Sequence, residues 1–219
     1  MTTRHAMVLA LAAALLVSAF CVLFVRQGGA FLARRDFVVG EVMLVEAERF
    51  VAAGQTGKAI ERYRMALAGR FAADKNLRRA EGGLGRLLKA EGRGDEALSH
   101  LEAAVGGKTP DGSAFFDLVT ITLAEESPKT GDFLARWQDW LDKRASATTC
   151  VDDDEERARL HWVRGLYLLS NDGEGASREF GQAVKLDPAC PAALELARMT
   201  DEKEAVTLRA EFVAHGGIL

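Results

Sequence analysis

Proline, cysteine and aromatic residues are all scarce in this sequence. Of its 219 residues, four are Pro, three are Cys and 7% are aromatic. Collagen-like chains, proline-rich linkers and disulfide-stabilised miniproteins need much larger shares of Gly, Pro or Cys, so all three classes are excluded. Positive charge is not in excess, because 28 Lys and Arg stand against 32 Asp and Glu. The sequence therefore lacks the basic surface typical of nucleic-acid-binding proteins, and we expect no nucleic-acid partner.

Long apolar runs are also absent, with one exception at the N-terminus. Residues 6–25 contain no charged side chain. As a helix they would extend about 30 Å, the thickness of a bilayer hydrocarbon core. We expect a transmembrane signal anchor over residues 1–27, followed by a juxtamembrane linker over 28–39. Small residues ending at Ala30 also fit a signal-peptidase site, so cleavage after Ala30 is the alternative.

The charges that flank this run do not decide its orientation. Arg4 precedes it and Arg26, Arg34 and Arg35 follow it. Taken literally, the positive-inside rule places the C-terminal part in the cytoplasm. A short tail, one span and a large following domain are instead the usual layout of a bacterial signal anchor with an exported domain. We expect a single-pass protein of the bacterial inner membrane with its domain in the periplasm, and the cytoplasmic orientation remains open.

The rest of the chain has a helical pattern. Without Arg4, 27 basic and 32 acidic residues remain from residue 26 onward, a net charge of -5. Apolar residues recur at i, i+3, i+4 and i+7, and no alternating run of strand length occurs. All four prolines lie between the periodic segments, where proline costs no helical hydrogen bond. The pattern predicts an all-α fold.

Three segments, residues 47–69, 85–107 and 164–186, align with one another without a gap. Each reads as an amphipathic helix, a turn rich in Gly, Asn or Asp, and a second helix with a small residue at its first buried position. Such internal repetition is the mark of a repeat protein, in which stacked helical hairpins share a continuous core.

These segments resemble the tetratricopeptide repeat (TPR), a helix-turn-helix unit of 34 residues. Small residues fall where the two helices of the unit cross, and bulky pairs such as Tyr167 and Phe180 fill the space beside the crossing. The signature positions are Met43, Ala47, Phe50, Ala59, Tyr63 and Ala66 in the first copy, Leu84, Gly85, Leu88, Ala97, Leu101 and Ala104 in the second, and Leu160, Val163, Tyr167, Ala176, Phe180, Ala183 and Pro188 in the third.

A fourth, degenerate unit fits between the second and third copies. Its second helix carries an apolar stripe that we interpret as core, with a ligand platform as the alternative for its two tryptophans; the stripe consists of Phe133, Trp137, Trp140 and Leu141. The resemblance thus implies a TPR-like α-solenoid of about four helix-turn-helix units with C-terminal capping helices. The repeat domain would span 40–215, with units at about 40–73, 78–111, 113–144 and 157–190 and the cap at 191–215.

Catalytic and cofactor motifs are not found. The segment 52–59 imitates a P-loop but has Ala in place of the first Gly and of the Ser or Thr that would ligate magnesium. No His has another His or Cys at the spacing of a metal site. The acidic run 152–156 is interpreted as a helix start, since carboxylates favour the positive end of the helix dipole. We therefore predict no enzyme, no cofactor and no metal.

Two cysteines flank the last clear repeat. Cys150 precedes its first helix and Cys190 follows its second, and a helical hairpin brings these two ends together. A disulfide there would contribute about 4 kcal/mol in the chain-entropy model. It would also favour an oxidising compartment and hence an exported domain. Two unrelated free thiols are the equally weighted alternative.

The resemblance implies a concave face, lined by the first helix of each unit, that holds a peptide or a helix of a partner protein. Glu41 and Glu48 lie on this face in the first repeat, and the second repeat contributes Arg79, Arg86 and Lys89. We therefore expect a groove whose charge changes sign along its length. Solvated surface charge is the alternative interpretation. The predicted function is a membrane-tethered TPR scaffold or adaptor in the assembly or maturation of a cell-envelope complex. The alternative is a constitutive, non-catalytic structural subunit of a larger membrane protein complex.

Overall fold

A computed structural model describes residues 18, 22–23, 38–147 and 153–200, together with residues 203–204, 207–208, 211 and 213. Within the two long ranges the chain is all-α, as predicted. The helices are α1 (38–52), α2 (Thr56–Ala68), α3 (Asp74–Ala90), α4 (Gly94–Ala104), α5 (Ser113–Ala124), α6 (Thr130–Ala147), α7 (Asp154–Leu168), α8 (Gly173–Leu186) and α9 (Ala192–Met199).

The predicted membrane span over residues 6–25 lies outside the described residues, apart from Ser18, Val22 and Leu23. Among the residues that are described, no helix combines the length and the apolar character needed to cross a bilayer. The N-terminal anchor therefore stays a prediction from sequence.

Contacts divide the chain into two compact units, one that ends at Ala80 and one that begins at Glu81. The first unit contains the hairpin of α1 and α2 and the start of α3. Of its predicted signature positions, Ala47, Ala59 and Ala66 are fully buried. The two ends of the hairpin also meet at Gly40, because a Cβ atom at this residue would collide with the carbonyl oxygen of Arg70. The sequence signature of the first copy is thus a true packing pattern.

The turns of the first two hairpins have the same geometry. In the α1–α2 turn the amide of Gln55 donates to the carbonyl of Phe50 at 2.9 Å, and Gly54 lies in the left-handed region with φ 68°. In the α3–α4 turn the amide of Arg93 donates to the carbonyl of Leu88 at 2.9 Å, and Gly92 has φ 75°. This is the Schellman motif, in which the left-handed position favours glycine because it has no Cβ.

The degenerate unit, α5 and α6, uses this turn without the glycine. The amide of Ser127 donates to the carbonyl of Thr122 at 2.8 Å, as in the other two turns. The left-handed position is held by Glu126, with φ 52°. The Cβ atom of Glu126 makes this backbone conformation less favourable by about 1–2 kcal/mol, so the folded turn is less stable than it would be with glycine.

Replacing Glu126 by Gly should therefore stabilise the protein. We expect the free energy of unfolding to rise by about 1 kcal/mol, after allowance for the greater freedom of glycine in the unfolded chain. Urea denaturation followed by circular dichroism would measure it. Gly92→Ala is the matched control, because a Cβ there meets no atom within 4 Å, so any destabilisation reports backbone conformation alone. Loss of stability at Gly92 without a gain at Glu126 would contradict this account.

The third clear copy, α7 and α8, departs from the predicted register. Four residues separate its helices, whereas three separate α3 from α4. Both Asn171 and Asp172 donate their amides to the carbonyl of Leu168, and no described residue of this turn has a positive φ. The turn of this copy therefore lacks the Schellman geometry of the other three hairpins.

The helix crossing of this copy also differs from that of the second copy. In the α3–α4 pair a Cβ at Gly85 would lie 2.7 Å from Leu101 Cγ. The gap-free alignment makes Arg164 the equivalent of Gly85, yet it is Gly165 that lies against the ring of Phe180, with no room for a Cβ. Tyr167 is 39% exposed, so the expectation that it fills the space beside Phe180 is wrong. Leu168 packs against the cluster that contains Phe180 instead.

The aromatic core of the second unit lies between α5 and α6. Phe133, Trp137 and Leu141 are buried, which confirms their interpretation as core, whereas Trp140 is only half-buried. The indole of Trp137 stacks on the ring of Phe115 with centroids 6.2 Å apart. Beyond α8, helix α9 packs through small buried residues, Ala192, Ala193 and Ala197.

Candidate partner-binding face

The acidic residues predicted for the groove are already engaged inside the first unit. Glu48 Oε1 accepts a hydrogen bond from Arg79 Nη2 at 2.6 Å. Glu41 Oε2 accepts one from Asn76 Nδ2 at 2.7 Å. The two carboxylates on α1 therefore face polar groups at the start of α3, the next first helix of the repeat pattern.

The basic residues of the second unit are engaged in the same way. Arg86 Nη1 donates to Ser113 Oγ at 2.5 Å and lies 3.5 Å from Asp111 Oδ2. Lys89 Nζ donates to both Asp117 Oδ1 and Thr120 Oγ1 at 2.7 Å. These contacts join α3 to the start of α5 and to the segment before it.

The acidic and basic groove residues that the sequence predicts are thus paired with other polar side chains of the same chain. An acidic stripe on one first helix meets a basic or amide stripe on the next, and the basic end of α3 meets carboxylates of the following hairpin. Partly exposed pairs of this kind each contribute about 0–1 kcal/mol, and they restrict the register between neighbouring first helices. The five predicted groove residues therefore act first on one another and on their neighbours, and their role toward a partner stays a prediction.

A cleft of about 690 Å³ opens between the first helices of the second unit and the turn before α9. Phe116 and Trp162 are half-buried and stacked, with centroids 5.9 Å apart and planes 28° apart. The residues that line it are Arg86, Ser113, Phe116, Asp117, Glu155, Arg159, Trp162, Asp187, Cys190 and Pro191. We call this region the first-helix cleft. Of the predicted groove residues, only Arg86 belongs to it.

Charged groups at the first-helix cleft are balanced locally. Arg159 forms ion pairs with Glu155 and, at 3.2 Å, with Glu156. Burial raises the pKa of the Glu156 carboxyl above its usual value. Asp187 Oδ1 accepts the amide hydrogen of Ala189 at 2.9 Å. Because the lining cations and most of the lining carboxylates are paired, the cleft offers aromatic surface more than net charge to a ligand.

Cys190 lies at the wall of this cleft as a buried thiol. Burial raises its pKa to about 11, so the thiolate needed for nucleophilic or metal-binding chemistry is scarce at neutral pH. Its predicted disulfide partner, Cys150, lies outside the described residues, and the pairing stays a prediction. Across the described part of the chain, no three His, Cys, Asp or Glu side chains are grouped to hold a metal ion.

The acidic run before α7 has the role expected of it. Helix α7 begins at Asp154, and Asp154, Glu155 and Glu156 occupy its first turn. Asp153 precedes the helix, is buried, and pairs with Arg144 at 3.2 Å. These carboxylates thus interact with the positive end of the α7 dipole and with nearby arginines.

Sequence reasoning missed the first-helix cleft because its lining comes from three helices and one turn. Phe116 and Trp162 are 46 positions apart, and each reads in sequence as an ordinary apolar position. What distinguishes them is visible in the structure alone: both are large aromatics that the repeat packing leaves half-buried.

Comparison of the fold with known structures identifies it as a TPR fold. MamA from Desulfovibrio magneticus RS-1 is similar with a TM-score of 0.57 and 16% identity, over 80% of this chain and 92% of that one. YrrB, described as a TPR protein with an unusual peptide-binding site, gives 0.54 and 17%, over 80% and 84%. A thermophilic TPR protein in Thermus thermophilus, TTC0263, gives 0.53 and 18%, over 81% and 91%. No protein-family model matches the sequence, and no curated protein matches it.

Proposed function

We propose that this protein is a membrane-tethered scaffold that holds a segment of a partner protein in the first-helix cleft, in the assembly or maturation of a cell-envelope complex. The TPR fold supports a role in protein interaction, as does the peptide-binding site for which YrrB is described. The apolar run 6–25 supports the tether. An inner-membrane anchor with the domain in the periplasm is part of this proposal, and so is the absence of catalysis.

The observation that carries the proposal is the stacked pair of Phe116 and Trp162. Half-buried aromatic rings that wall a cleft of this size are typical anchors for a partner side chain, because they offer a large contact area at little conformational cost. Since most of the neighbouring charges are paired, the bound segment should present an apolar or aromatic side chain to these rings.

Removal of the Trp162 ring should abolish partner capture. We expect a protein that copurifies with the full-length chain from native membranes in mild detergent to be reduced at least about tenfold by Trp162→Leu, which keeps apolar volume but removes the stacked ring. Tyr167→Ala is the matched control, because it removes an exposed aromatic from the same helix but lies outside the cleft. Quantitative mass spectrometry of the eluates measures the ratio.

The same eluates distinguish the alternatives. Thermal unfolding of both variants verifies that the loss of capture is not a loss of folding. Equal recovery of the partner with Trp162→Leu would reject the first-helix cleft. A partner at fixed stoichiometry that survives high salt and both substitutions would indicate a constitutive subunit of a larger complex. Recovery of the chain in the soluble fraction of the native host would reject the tether.

A further inference from the structure

A second cleft, of about 480 Å³, lies beside α6 and away from the first-helix cleft. Its walls come from the segment between α4 and α5, from the first turn of α5, and from one face of α6. We call it the α6 cleft, and the two clefts share no lining residue. Its cationic and aromatic lining consists of Lys108, Phe115, Arg136, Trp140, Lys143 and Arg144.

The α6 cleft has a strong excess of positive charge in a chain whose net charge is -4. Four cations line it, against a single carboxylate, that of Asp139. This carboxylate is taken by Lys143, whose Nζ donates to Asp139 Oδ2 at 2.5 Å. Arg144 lies 3.2 Å from Asp153. Neither Lys108 nor Arg136 is paired with a carboxylate anywhere in the described ranges.

Arg136 is held in place without being neutralised. Its Nη2 donates to the backbone carbonyl of Val105 at 3.0 Å, and its guanidinium lies 5.6 Å from the centre of the Phe133 ring. Both contacts are with uncharged groups, so the positive charge remains available to an anion. A guanidinium has five N–H donors, which leaves ample capacity for a bidentate carboxylate.

Trp140 forms a fixed aromatic wall between the cations of this cleft. Its indole lies 6.0 Å from the ring of Phe115, and the guanidinium of Arg144 lies over it at 5.2 Å. At Gly112 there is no room for a Cβ atom beside the indole. The ring is therefore packed on one side and half-exposed on the other, which suits contact with an apolar side chain.

The spacing of the cations indicates what kind of anion fits. Arg136 and Lys143 lie two helical turns apart on α6, about 10.5 Å along the helix axis. A single phosphate needs donors that converge on one point. A peptide in the polyproline II conformation has residues i and i+3 on one face, about 9 Å apart, which matches the spacing along α6.

We propose that the α6 cleft binds a short acidic segment of a partner protein in extended, polyproline-like conformation. One carboxylate would pair with Arg136 and Lys108, and the carboxylate at i+3 would accept from the N–H donors of Lys143 and Arg144 that their pairs with Asp139 and Asp153 leave unused. An intervening apolar side chain would pack on Trp140. This surface is separate from the first-helix cleft, so the inference stands or falls independently of the function proposed above.

Fluorescence anisotropy with a defined probe tests this inference. The probe is a fluorescein-labelled nonapeptide of three Glu-Pro-Leu repeats, titrated with the full-length chain in mild detergent at low salt. The control peptide, with Gln in place of Glu, should bind at least about tenfold more weakly, and affinity for the acidic probe should fall as salt is raised. Equal affinity for the two peptides would overturn the proposal.

Charge-reversal variants locate the site. We expect Lys108→Glu with Arg136→Glu to weaken binding of the acidic probe at least about tenfold. Lys129→Glu with Arg178→Glu is the matched control, because it changes the net charge equally at exposed residues that do not line the cleft. Equal weakening by the control pair would show a nonspecific effect of charge and would reject the site.

Two further measurements keep the result interpretable. Arg136→Gln retains a donor for the Val105 carbonyl and should still weaken binding, which separates charge from folding. Trp140→Leu should weaken binding of the Glu-Pro-Leu probe, whereas the salt dependence of this binding should stay the same. Displacement of the probe by millimolar inorganic phosphate would indicate an anion site without peptide selectivity and would overturn the peptide assignment.

Discussion

Replacing Trp137 with Ala should lower the free energy of unfolding by about 3–5 kcal/mol. Trp137 is fully buried at the centre of the aromatic core of the second unit. Its indole stacks on Phe115 and meets the ring of Phe116 edge-on, with centroids 6.4 Å apart. Truncation leaves a cavity of indole size and breaks both ring contacts. Since single domains have total stabilities of about 5–15 kcal/mol, the loss would remove a large fraction of the stability of this unit.

Trp140→Ala is the matched control for this prediction. It removes the same side chain three residues later on α6, at a position that is only half-buried. We expect its cost to be smaller by about 2 kcal/mol, because Trp140 buries less apolar surface than Trp137 and its removal therefore loses less hydrophobic stabilisation. Chemical denaturation of the two variants, followed by circular dichroism, measures the difference. Equal losses would show that Trp140 belongs to the core and would remove the reason for treating it as part of a cleft.

Trp137→Phe gives a finer test of the same core. The indole Nε1 of Trp137 is buried without a hydrogen-bond partner in the described structure. An unpaired buried donor costs about 1–3 kcal/mol, which Phe would recover while it loses part of the ring volume. We therefore expect Trp137→Phe to be much milder than Trp137→Ala. A loss as large as that of alanine would mean that the unpaired donor costs little.

The hairpins were predictable because their signature is local. The small residues Ala59, Ala97 and Ala176 are fully buried at the helix crossings, as the alignment of the three copies indicates. Their spacing repeats within one helix-turn-helix unit, so periodicity and turn residues suffice to place them. The TPR fold inferred from these positions agrees with the solved structures that share it.

The two clefts were beyond the sequence because they depend on pairs of positions from different repeats. Nothing in the local pattern indicates that Lys89 pairs with Asp117, whereas Arg136, among the described residues, contacts a backbone carbonyl and an aromatic ring and no carboxylate. The predicted groove selected residues by their charge and helical face, and the structure shows that the partner of each charge decides whether it is available. The useful sequence signal would have been complementary signs on successive first helices, a mark of pairing within the chain.

Register was the other property that the alignment did not reveal. A gap-free match of residues 85–107 with 164–186 places Arg164 at the crossing, whereas the structure has Gly165 there. Gly165 lies 15 positions before Phe180, and Gly85 lies 16 positions before Leu101, so one residue fewer connects the two contact positions in this copy. A shift of one position along a helix rotates its face by about 100°, which is enough to move a tyrosine from core to surface.

This shift leads to a second large effect, at Phe180. We expect Phe180→Ala to cost about 3–5 kcal/mol, because the ring is fully buried against Gly165 and among the small residues of the α7–α8 crossing. Tyr167→Ala should cost at most about 1 kcal/mol, since the side chain is 39% exposed. The family signature assigns these two aromatics comparable roles in packing, so their ratio separates the observed register from the aligned one.

A double mutant tests the contact directly. Gly165→Ala alone should destabilise by about 1–3 kcal/mol, because its methyl group collides with the Phe180 ring. In the Phe180→Ala background the same methyl enters the space that the ring has left, so the combined loss should be at least about 1 kcal/mol smaller than the sum of the two single losses. Additive losses would mean that Gly165 and Phe180 do not touch. If in addition Tyr167→Ala proved as costly as Phe180→Ala, α7 would have to lie in the register of the other hairpins, with Arg164 at the crossing.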